Sequence, residues 1–376
     1  MNILIINPIL YTPPLHGGRV PQADSIQNSL IVNYAKGFRR IGHSVTVIAS
    51  DEYRPRLQED YDGVEMVFLP NAAKRLWGGF PNGFPILKGF GKYLKTEGDR
   101  FDLAISSEAF TYTSFVASRI MPEKLVVWQE VGAHVKIMKG IPSAIWYNTV
   151  VRFLMRRVLF VPRSQRARSF IARYARRVSD EIVEHAVDRE CFAPCKEKRH
   201  YFIVLARLVK SKNIALTISK FASFCAASDT PYELYIVGGG DLLGNLQRTA
   251  EEAGVADRVI FTGKKPREEV TRYLQHATAL LTDTTGEYST VSITEAISCG
   301  TPVITNSVPY PSDTVEEFRL GIVSDEWGAD DMAEVVERLG YYSGNCIGYG
   351  RRLSVEYLAN RMTEVFRRCN EDSADK

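Results

Sequence analysis

Short apolar runs alternate with helix-like segments along the first half of the chain. Apolar side chains recur every four residues from Ile26 to Phe38, which predicts a helix over residues 25–40, ended by Gly42. The apolar runs are too short for helices and read as buried parallel strands. We predict these strands at residues 3–6, 44–48, 64–69, 103–106, 125–128 and 158–161.

The same alternation starts again in the second half. We predict strands at residues 201–205, 232–237, 258–261, 279–281, 302–305 and 321–323, with helices at 213–227, 243–253, 267–275 and 291–298. The chain is therefore predicted to be α/β, with two Rossmann-like, doubly wound parallel-sheet domains facing a cleft. Residues 1–190 form the first predicted domain and 196–350 the second. A helix at 351–370 is expected to pack back on the first.

Composition and charge exclude several classes of protein. Of the 376 residues, 47 are Lys or Arg and 44 are Asp or Glu, a balance that argues against a nucleic-acid partner. No apolar stretch reaches the ~18 residues that span a bilayer, and the first residues resemble a strand rather than a signal peptide. We therefore expect a cytoplasmic protein. Six scattered cysteines and six histidines without ligand spacing predict no metal site.

Three segments with candidate chemistry follow predicted strands of the second half. Arg207 and Lys212 lie in a loop at a strand end, where two cations could hold a diphosphate. Gly238 and Gly239 would let the backbone approach a ligand closely, and the backbone at Gly263 could contact a nucleobase. Taken singly, these features also suit solvated cations and an architectural turn.

A fourth segment places two glutamates around a helix start. Glu287 precedes the predicted helix 291–298, and Glu295 lies inside it. The free N–H groups of such an end, here at Thr290 and Val291, favour an anionic ligand. Ser289 or Thr290 could cap the helix.

In this order the segments resemble the signature of glycosyltransferase family 4 on the GT-B fold. That signature combines a G-R-L-x-x-x-K-like loop, a V-G-x-G turn, a V-x-F-x-G strand and E-x7-E followed by G-T-P-V. The first half adds a Gly-Gly loop, Gly17 and Gly18, and residues 185–194 resemble the family's N-G-V-D-x-x-x-F-x-P linker. The resemblance covers most of the chain.

The resemblance implies a retaining, metal-independent transfer of a hexosyl unit from a UDP- or GDP-sugar, with no cofactor. The acceptor would be a glycan, a polysaccharide or a lipid-linked molecule, as in polysaccharide or lipopolysaccharide biosynthesis. Arg207 and Lys212 would neutralise the departing diphosphate, and the amides near Thr290 would bind its oxygens. Glu295 would accept from the ribose hydroxyls and Glu287 would lie near the donor sugar. The first domain would bind the acceptor.

Several positions depart from the family pattern. Tyr288-Ser289-Thr290 stand where Gly-Phe-Gly is usual, and Ala206 replaces a glycine. The family often has a His-Asp or similar element that contacts the donor sugar in the region of residues 126–134. Gln129 and Glu130 occupy the nearest equivalent places here. His134, four residues later, is either a group near the donor sugar or an ordinary loop histidine. A nucleotide-sugar 2-epimerase and a catalytically silent sugar-binding or scaffold protein remain alternatives.

A basic segment of the first half suggests a second partner. Residues 152–177 contain nine arginines and no acid, mixed with apolar residues that include Phe153, Leu154, Phe160 and Ile171. Residues 71–98 add aromatic side chains among lysines. These segments favour peripheral contact with an anionic membrane on its cytoplasmic face. The alternative is that the arginines cover solvated faces of a helix and a strand.

Overall fold

The computed structural model describes residues 1–11, 20–72, 85–134, 141–286 and 290–374. The chain forms two compact units. Unit 1 contains Met1–Glu184 together with Val355–Lys376, and unit 2 contains His185–Ser354. The segment that resembles a linker, residues 185–194, therefore lies within unit 2.

Unit 1 is built on a seven-stranded parallel sheet. Its strands are β1 (Asn2–Ile6), β2 (Ser44–Ser50), β3 (Glu65–Leu69), β4 (Leu103–Ser107), β5 (Leu125–Gln129), β6 (Leu159–Pro162) and β7 (Arg177–Val178). They are arranged in the order β3-β2-β1-β4-β5-β6-β7. The helices are Leu30–Arg40, Phe90–Glu97, Tyr112–Ile120, Ile141–Trp146 with its π-helical continuation Tyr147–Leu154, and Gln165–Ile171. The six predicted strands are confirmed. The seventh has only two residues and gives no sequence pattern.

The first helix begins later than predicted. It starts at Leu30 rather than near residue 25, because Ser29 has extended backbone and its Oγ accepts the N–H of Val32 at 3.3 Å. A serine in this position satisfies a donor that the helix leaves free, so it defines the helix start. The apolar spacing alone could not locate this cap.

Unit 2 contains a six-stranded parallel sheet. Its strands are β8 (Tyr201–Leu205), β9 (Glu233–Val237), β10 (Val259–Gly263), β11 (Ala279–Thr282), β12 (Val303–Thr305) and β13 (Gly321–Val323), arranged β10-β9-β8-β11-β12-β13. The helices are Ile214–Ala227, Leu243–Glu252, Arg267–His276, Val291–Ser298, Pro311–Glu317, Ala329–Glu337 and Leu339–Tyr349. Along β8, Phe202 and Val204 lie in one buried cluster while Tyr201 and Ile203 lie in another. Both faces of the sheet are therefore covered, as in a doubly wound fold.

The C-terminal helix Val355–Ala374 packs on unit 1, as predicted. At Gly37 of the first helix a Cβ atom would lie 2.5 Å from the carbonyl oxygen of Val355, so the two helices approach at a residue without a side chain. Arg40 and Glu356 form an ion pair at 2.7 Å. Arg361 and Arg368 of the helix both pair with Glu181, which adds further contacts to the body of unit 1.

Each sheet has one point at which its strand order reverses. The point lies between β1 and β4 in unit 1 and between β8 and β11 in unit 2. In open parallel sheets, ligands bind outside the carboxyl ends of the strands at this switch point. The topology of unit 2 therefore directs attention to the loops after β8 and β11, two of the segments that carry the candidate chemistry.

Candidate functional site

The loop after β8 lies against the glycine turn after β9. The amide of Ala206 donates to the carbonyl of Val237, and the amide of Leu208 donates to that of Gly239, both at 3.1 Å. In return the amide of Leu242 donates to the carbonyl of Leu208 at 3.3 Å. These bonds bring together the first two predicted segments.

Glycine is required in this turn by a close approach of two backbones. Gly238 has a φ of +146°, and a Cβ atom there would lie 1.9 Å from the carbonyl oxygen of Ala206. A Cβ atom at Gly240 would lie 2.5 Å from the carbonyl oxygen of Leu208. The amide of Gly238 also donates to the carbonyl of Gly263 at 3.0 Å, which brings the third segment to the same edge of the sheet.

The loop with the two cations is also joined to the end of β11. The carbonyl of Ser211 accepts the hydroxyl of Thr284 at 2.9 Å and the amide of Thr285 at 3.0 Å. Asn213 Nδ2 donates to Asp283 Oδ1 at 3.0 Å. The chain therefore holds the loop of Lys212 beside the segment that leads to the glutamate motif. Glu287 and Ser289 themselves lie outside the described residues, as do Gly17 and Gly18.

A buried carboxylate that the sequence reasoning missed holds this edge together. Asp283 follows β11 directly and is 5% exposed. Its Oδ2 pairs with Lys220 Nζ at 3.0 Å, and its Oδ1 also accepts from Asn306 Nδ2 at 3.4 Å. Lys220 lies over the ring of Trp327 at 3.9 Å. A polar residue directly after each of two buried strands, Asp283 and Asn306, is the signal that could have found this network.

The two predicted cations lie at the switch point but differ in exposure. Arg207 lies two residues after the end of β8 and is exposed, whereas Lys212 is 7% exposed. Lysine is rarely buried to this extent in proteins, because its ammonium group must be taken out of water. The depth of Lys212 in the loop is what distinguishes it from an ordinary solvated lysine such as Lys210, which is exposed.

The start of the helix Val291–Ser298 carries an unsatisfied hydroxyl. Thr290 occupies the N-cap position with extended backbone, but its side chain makes no capping hydrogen bond. Of the two candidate caps, Thr290 is therefore wrong, and Ser289 lies outside the described residues. The residue is 4% exposed and its Oγ1 has no hydrogen-bond partner within the described ranges. A buried polar atom without a partner costs about 1–3 kcal/mol. A polar ligand at this helix start would satisfy both the hydroxyl and the free amides.

Glu295 lies in the same helix, five residues after Thr290. Burial raises the pKa of its carboxyl from the ordinary 4.5 to about 7, and the positive charge of Arg267 opposes part of this rise. A carboxylate enclosed in this way is costly unless a ligand or a cation compensates it. Perturbed groups of this kind cluster at functional sites.

Unit 1 carries a second enclosed carboxyl at its own switch point. Glu108 follows β4 with a φ of +64°, in the left-handed region that non-glycine residues rarely adopt. Its carboxylate accepts the amides of Glu130 at 2.7 Å and Val131 at 3.3 Å, and the side-chain amide of Gln129 at 2.8 Å. The sequence reasoning named Gln129 and Glu130 but missed Glu108. The signal that could have revealed Glu108 is an acidic residue directly after a buried strand beside β1.

Charged and aromatic groups surround this carboxyl. Glu130 pairs with Arg163 at 2.7 Å, and the guanidinium of Arg163 lies 3.8 Å over the ring of Trp128. Burial, assisted by the negative charge of Glu130, raises the pKa of Glu108 to about 7, while Arg163 and the N–H donors act in the opposite direction. Backbone strain and a raised pKa at one residue are common at functional sites, so Glu108 is a candidate site residue of unit 1.

His134 lies further along the loop after β5. Its Nδ1 is 3.2 Å from the hydroxyl of Ser143, and its Nε2 is 3.2 Å from the hydroxyl of Tyr174. The ring also packs edge-on against Tyr147 and Phe170. Both ring nitrogens are therefore engaged within unit 1, in the surroundings of a packed loop histidine. A role of His134 beside the donor sugar stays a prediction.

We expect Glu108→Gln to change how stability depends on pH. Because the folded-state pKa of about 7 lies above the ordinary 4.5, the folded protein holds this proton more tightly than the unfolded chain. The resulting stability is complete below about pH 4.5 and is lost as the pH rises to about 7. Glutamine cannot ionise. Over this pH range the free energy of unfolding of the variant should therefore decrease by on the order of 1–3 kcal/mol less than that of the wild type. Thermal unfolding between these pH values measures it, with exposed Glu251→Gln as control; equal profiles for all three proteins would contradict the expectation.

Two features are absent from the described residues. These residues contain no cluster of three or more His, Cys, Asp or Glu side chains that could hold a metal ion. Nor does any helix in the described ranges have the length and apolar character needed to cross a membrane.

Residues 192–340 match the sequence model of the family described as Glycosyl transferases group 1. The GDP-mannose-dependent alpha-(1-6)-phosphatidylinositol monomannoside mannosyltransferase of Mycolicibacterium smegmatis is 30% identical over 224 residues, 54% of this chain and 56% of that protein. The alpha-monoglucosyldiacylglycerol synthase of Streptococcus pneumoniae is 28% identical over 132 residues, 35% of this chain and 29% of that protein. This chain thus spans about half or less of the length of the curated relatives that it matches.

Likeness of fold extends over nearly the whole chain. The crystal structure of Anabaena HepE in complex with UDP-glucose superposes with a TM-score of 0.66 at 14% sequence identity, covering 98% of this chain and 99% of that one. At this identity the match shows the fold alone. The fold is therefore GT-B, with two Rossmann-like units, and the part of the chain that carries the unit 2 site, residues 192–340, matches the group 1 glycosyltransferases.

Proposed function

We propose that this protein is a retaining glycosyltransferase of family 4, which transfers a hexosyl unit from a nucleoside-diphosphate sugar. One observation carries the proposal. At the switch point of unit 2, backbone hydrogen bonds hold the loop of Arg207 and Lys212 against the glycine turn and against the end of β11. The family match covers this same region, and HepE supports a nucleotide-sugar donor because its crystal structure contains UDP-glucose.

The proposed donor site divides the nucleotide-sugar between the four segments. Arg207 and Lys212 would contact the diphosphate as a planar fork and a point charge. The hydroxyl of Thr290 and the amides at Thr290 and Val291 would complete the diphosphate site from the helix start. The close-packed backbone at Gly238, Gly239 and Gly263 would border the nucleoside. Glu295 would accept hydrogen bonds from the two hydroxyls of the ribose. Glu287 would lie beside the sugar.

The proposed chemistry is stabilisation of a leaving group by fixed charge. When the bond between the sugar and the diphosphate breaks, negative charge develops on the phosphate oxygens, and preorganised cations and amides lower the energy of that state. The acceptor hydroxyl would attack from the same face, and its proton would pass to the leaving phosphate. This sequence retains the configuration at the sugar carbon. It requires neither a metal ion nor a dedicated protein base.

The acceptor is proposed to bind to unit 1, close to the switch point marked by Glu108. The names of the two curated relatives describe transfer to phosphatidylinositol monomannoside and synthesis of a glucosyldiacylglycerol. These names favour a lipid-linked acceptor among the candidates, with the protein on the cytoplasmic face of a membrane. A free glycan or growing polysaccharide, including a lipopolysaccharide, is the broader class.

Release of nucleotide from UDP-, GDP- and ADP-sugars, with and without acceptor, tests the proposal. A transferase releases nucleoside diphosphate faster when the acceptor is present. A 2-epimerase would instead change the sugar without any acceptor, and a silent binding protein would do neither. The relative from Mycolicibacterium smegmatis is named as a mannosyltransferase, so the epimerase is not favoured.

We expect Glu295→Ala to lower turnover at least about tenfold, which is about 1.4 kcal/mol in the barrier. The ribose hydroxyls donate two hydrogen bonds, and only the ionised carboxylate accepts both. Because the pKa of Glu295 is raised to about 7, donor affinity of the wild-type protein should fall as the pH decreases through 7. Glu295→Gln should bind weakly at every pH. Isothermal titration calorimetry with the nucleoside diphosphates at pH 6 and pH 8 measures the affinities of the wild type and of Glu295→Gln. A wild-type affinity that does not change with pH would count against a role of Glu295 in binding the ribose.

A further inference from the structure

The helix that spans Ile141–Trp146 and Tyr147–Leu154 has two contrasting sides. Tyr147, Val151 and Met155 recur every four residues and are buried in the core of unit 1. Ile145 and Phe153 are offset from them by two positions, which places them on the opposite side in a helix of about four residues per turn. Ile145 is 59% exposed and Phe153 is 60% exposed, and the adjacent Leu154 is 44% exposed.

Large apolar side chains in such exposed positions have no partner in the core. Single exposed apolar residues are common on protein surfaces. Here three of them, Ile145, Phe153 and Leu154, share one short helix, and we call this set the apolar patch. Only some of the apolar residues that the sequence analysis named in the basic segment are exposed. Phe160 and Ile171 are buried in the core and cannot contribute to a surface. Of the second predicted segment, residues 73–84 lie outside the described ranges and Phe90 is buried.

Arginines of this region differ in whether an acidic residue pairs with them. Arg157 and Arg177 pair with Glu123, and Arg168 pairs with Asp180. In contrast, Arg152 and Arg156 are exposed and form no ion pair or hydrogen bond with any described residue. They extend from the same helix and its end, beside Phe153. Positive charge without a local counter-charge therefore borders the apolar patch.

We propose that this helix face docks unit 1 on an anionic lipid bilayer. The apolar side chains Ile145, Phe153 and Leu154 would enter the boundary between headgroups and acyl chains, while Arg152 and Arg156 contact lipid phosphates. The complementarity of charge selects a lipid surface as the occupant over a second copy of this basic protein, which carries a net charge of +3. The inference deepens the proposed function, on which it rests for the lipid-linked acceptor.

Flotation of the full chain with vesicles tests the proposal. We expect binding to vesicles of mixed phosphatidylglycerol and phosphatidylcholine, and little binding to phosphatidylcholine alone. The double variant Ile145→Ser with Phe153→Ser should bind the anionic vesicles at least about tenfold more weakly. The control Leu57→Ser removes a side chain of equal exposure, 59%, elsewhere in unit 1, and should bind as the wild type does.

A charge-reversal pair provides the second measurement. Arg152→Glu with Arg156→Glu should weaken binding about tenfold or more, and the exposed Arg351→Glu of unit 2 should not. Wild-type protein that stays with the soluble fraction, or test variants that float as well as the wild type, would overturn the proposal. So would a self-association in sedimentation that the Ile145/Phe153 variant abolishes while it still binds vesicles.

Failure of docking and failure of the proposed function can be told apart. Binding of a nucleoside diphosphate in the absence of vesicles tests the proposed donor site of unit 2 alone. We expect the double variant Ile145→Ser with Phe153→Ser to retain this binding, because it leaves unit 2 unchanged. Conversely, Lys212→Ala should lose nucleotide binding while still floating with anionic vesicles.

Discussion

Lys212→Ala is expected to lower kcat/KM for the nucleotide-sugar at least about tenfold, and by up to roughly a thousandfold. The reason is that one fixed charge at a developing oxyanion contributes about 1.4–4 kcal/mol to the barrier. Lys212 is 7% exposed at the switch point of unit 2, so little water can replace the lost charge. Steady-state release of nucleotide with a matching acceptor measures this effect.

A control in the same loop separates charge from position. Lys210 lies in the same short turn, Lys210–Lys212, and is exposed. Lys210→Ala removes an equal charge two residues away and should leave kcat/KM within about twofold, as exposed charges are screened by water. Lys212→Met retains most of the side-chain volume without the charge, and should be as impaired as Lys212→Ala. Near-normal rates for both Lys212 variants would place the leaving-group site elsewhere.

Gly238→Ala is expected to disrupt both the stability of unit 2 and its donor site. The new Cβ would lie 1.9 Å from the carbonyl oxygen of Ala206, in a backbone conformation with φ of +146° that alanine rarely adopts. Overpacking and backbone strain each cost about 1–3 kcal/mol, so we expect roughly 3–5 kcal/mol in total. For a unit of this size that corresponds to a decrease in Tm of roughly 10 °C. Movement of Ala206 would also displace Arg207.

The neighbouring residue provides a matched control. A Cβ atom at Gly239 would lie 3.3 Å from Cγ of Lys264, a flexible side chain that can move aside. Gly239→Ala should therefore lower Tm by only a few degrees, so the difference in Tm between the two variants isolates the close approach at Gly238. Differential scanning calorimetry, with nucleotide titration on the same samples, compares the two variants. Equal effects would show that the close approach at Gly238 does not matter.

The spacing of apolar residues predicted most of the fold, because buried parallel strands and amphipathic helices leave strong local patterns. All twelve predicted strands are present, and so are the four predicted helices of the second half. The late start of the first helix was not predicted, because it depends on a cap at Ser29. Strand β7 was not predicted either, because two residues are too few for a pattern.

The candidate site was predictable in part. Arg207, Lys212 and the glycine turn could be named because strand ends in a parallel sheet meet at one edge. The sequence could not distinguish buried Lys212 from exposed Lys210, nor find Asp283 and Glu108. Burial and hydrogen-bond partners are decided by residues far away in the chain, such as Asn306 for Asp283 and Gln129 for Glu108.

The sequence by itself therefore determined two α/β units and the loops that carry the candidate donor chemistry, because these follow from local periodicity and from residue type. Only the tertiary structure decided which charges are enclosed and which apolar side chains remain outside. Phe153 and Phe160 show the difference: seven residues apart in one basic segment, they are 60% and 0% exposed. Exposure depends on packing between distant elements, which no local pattern records.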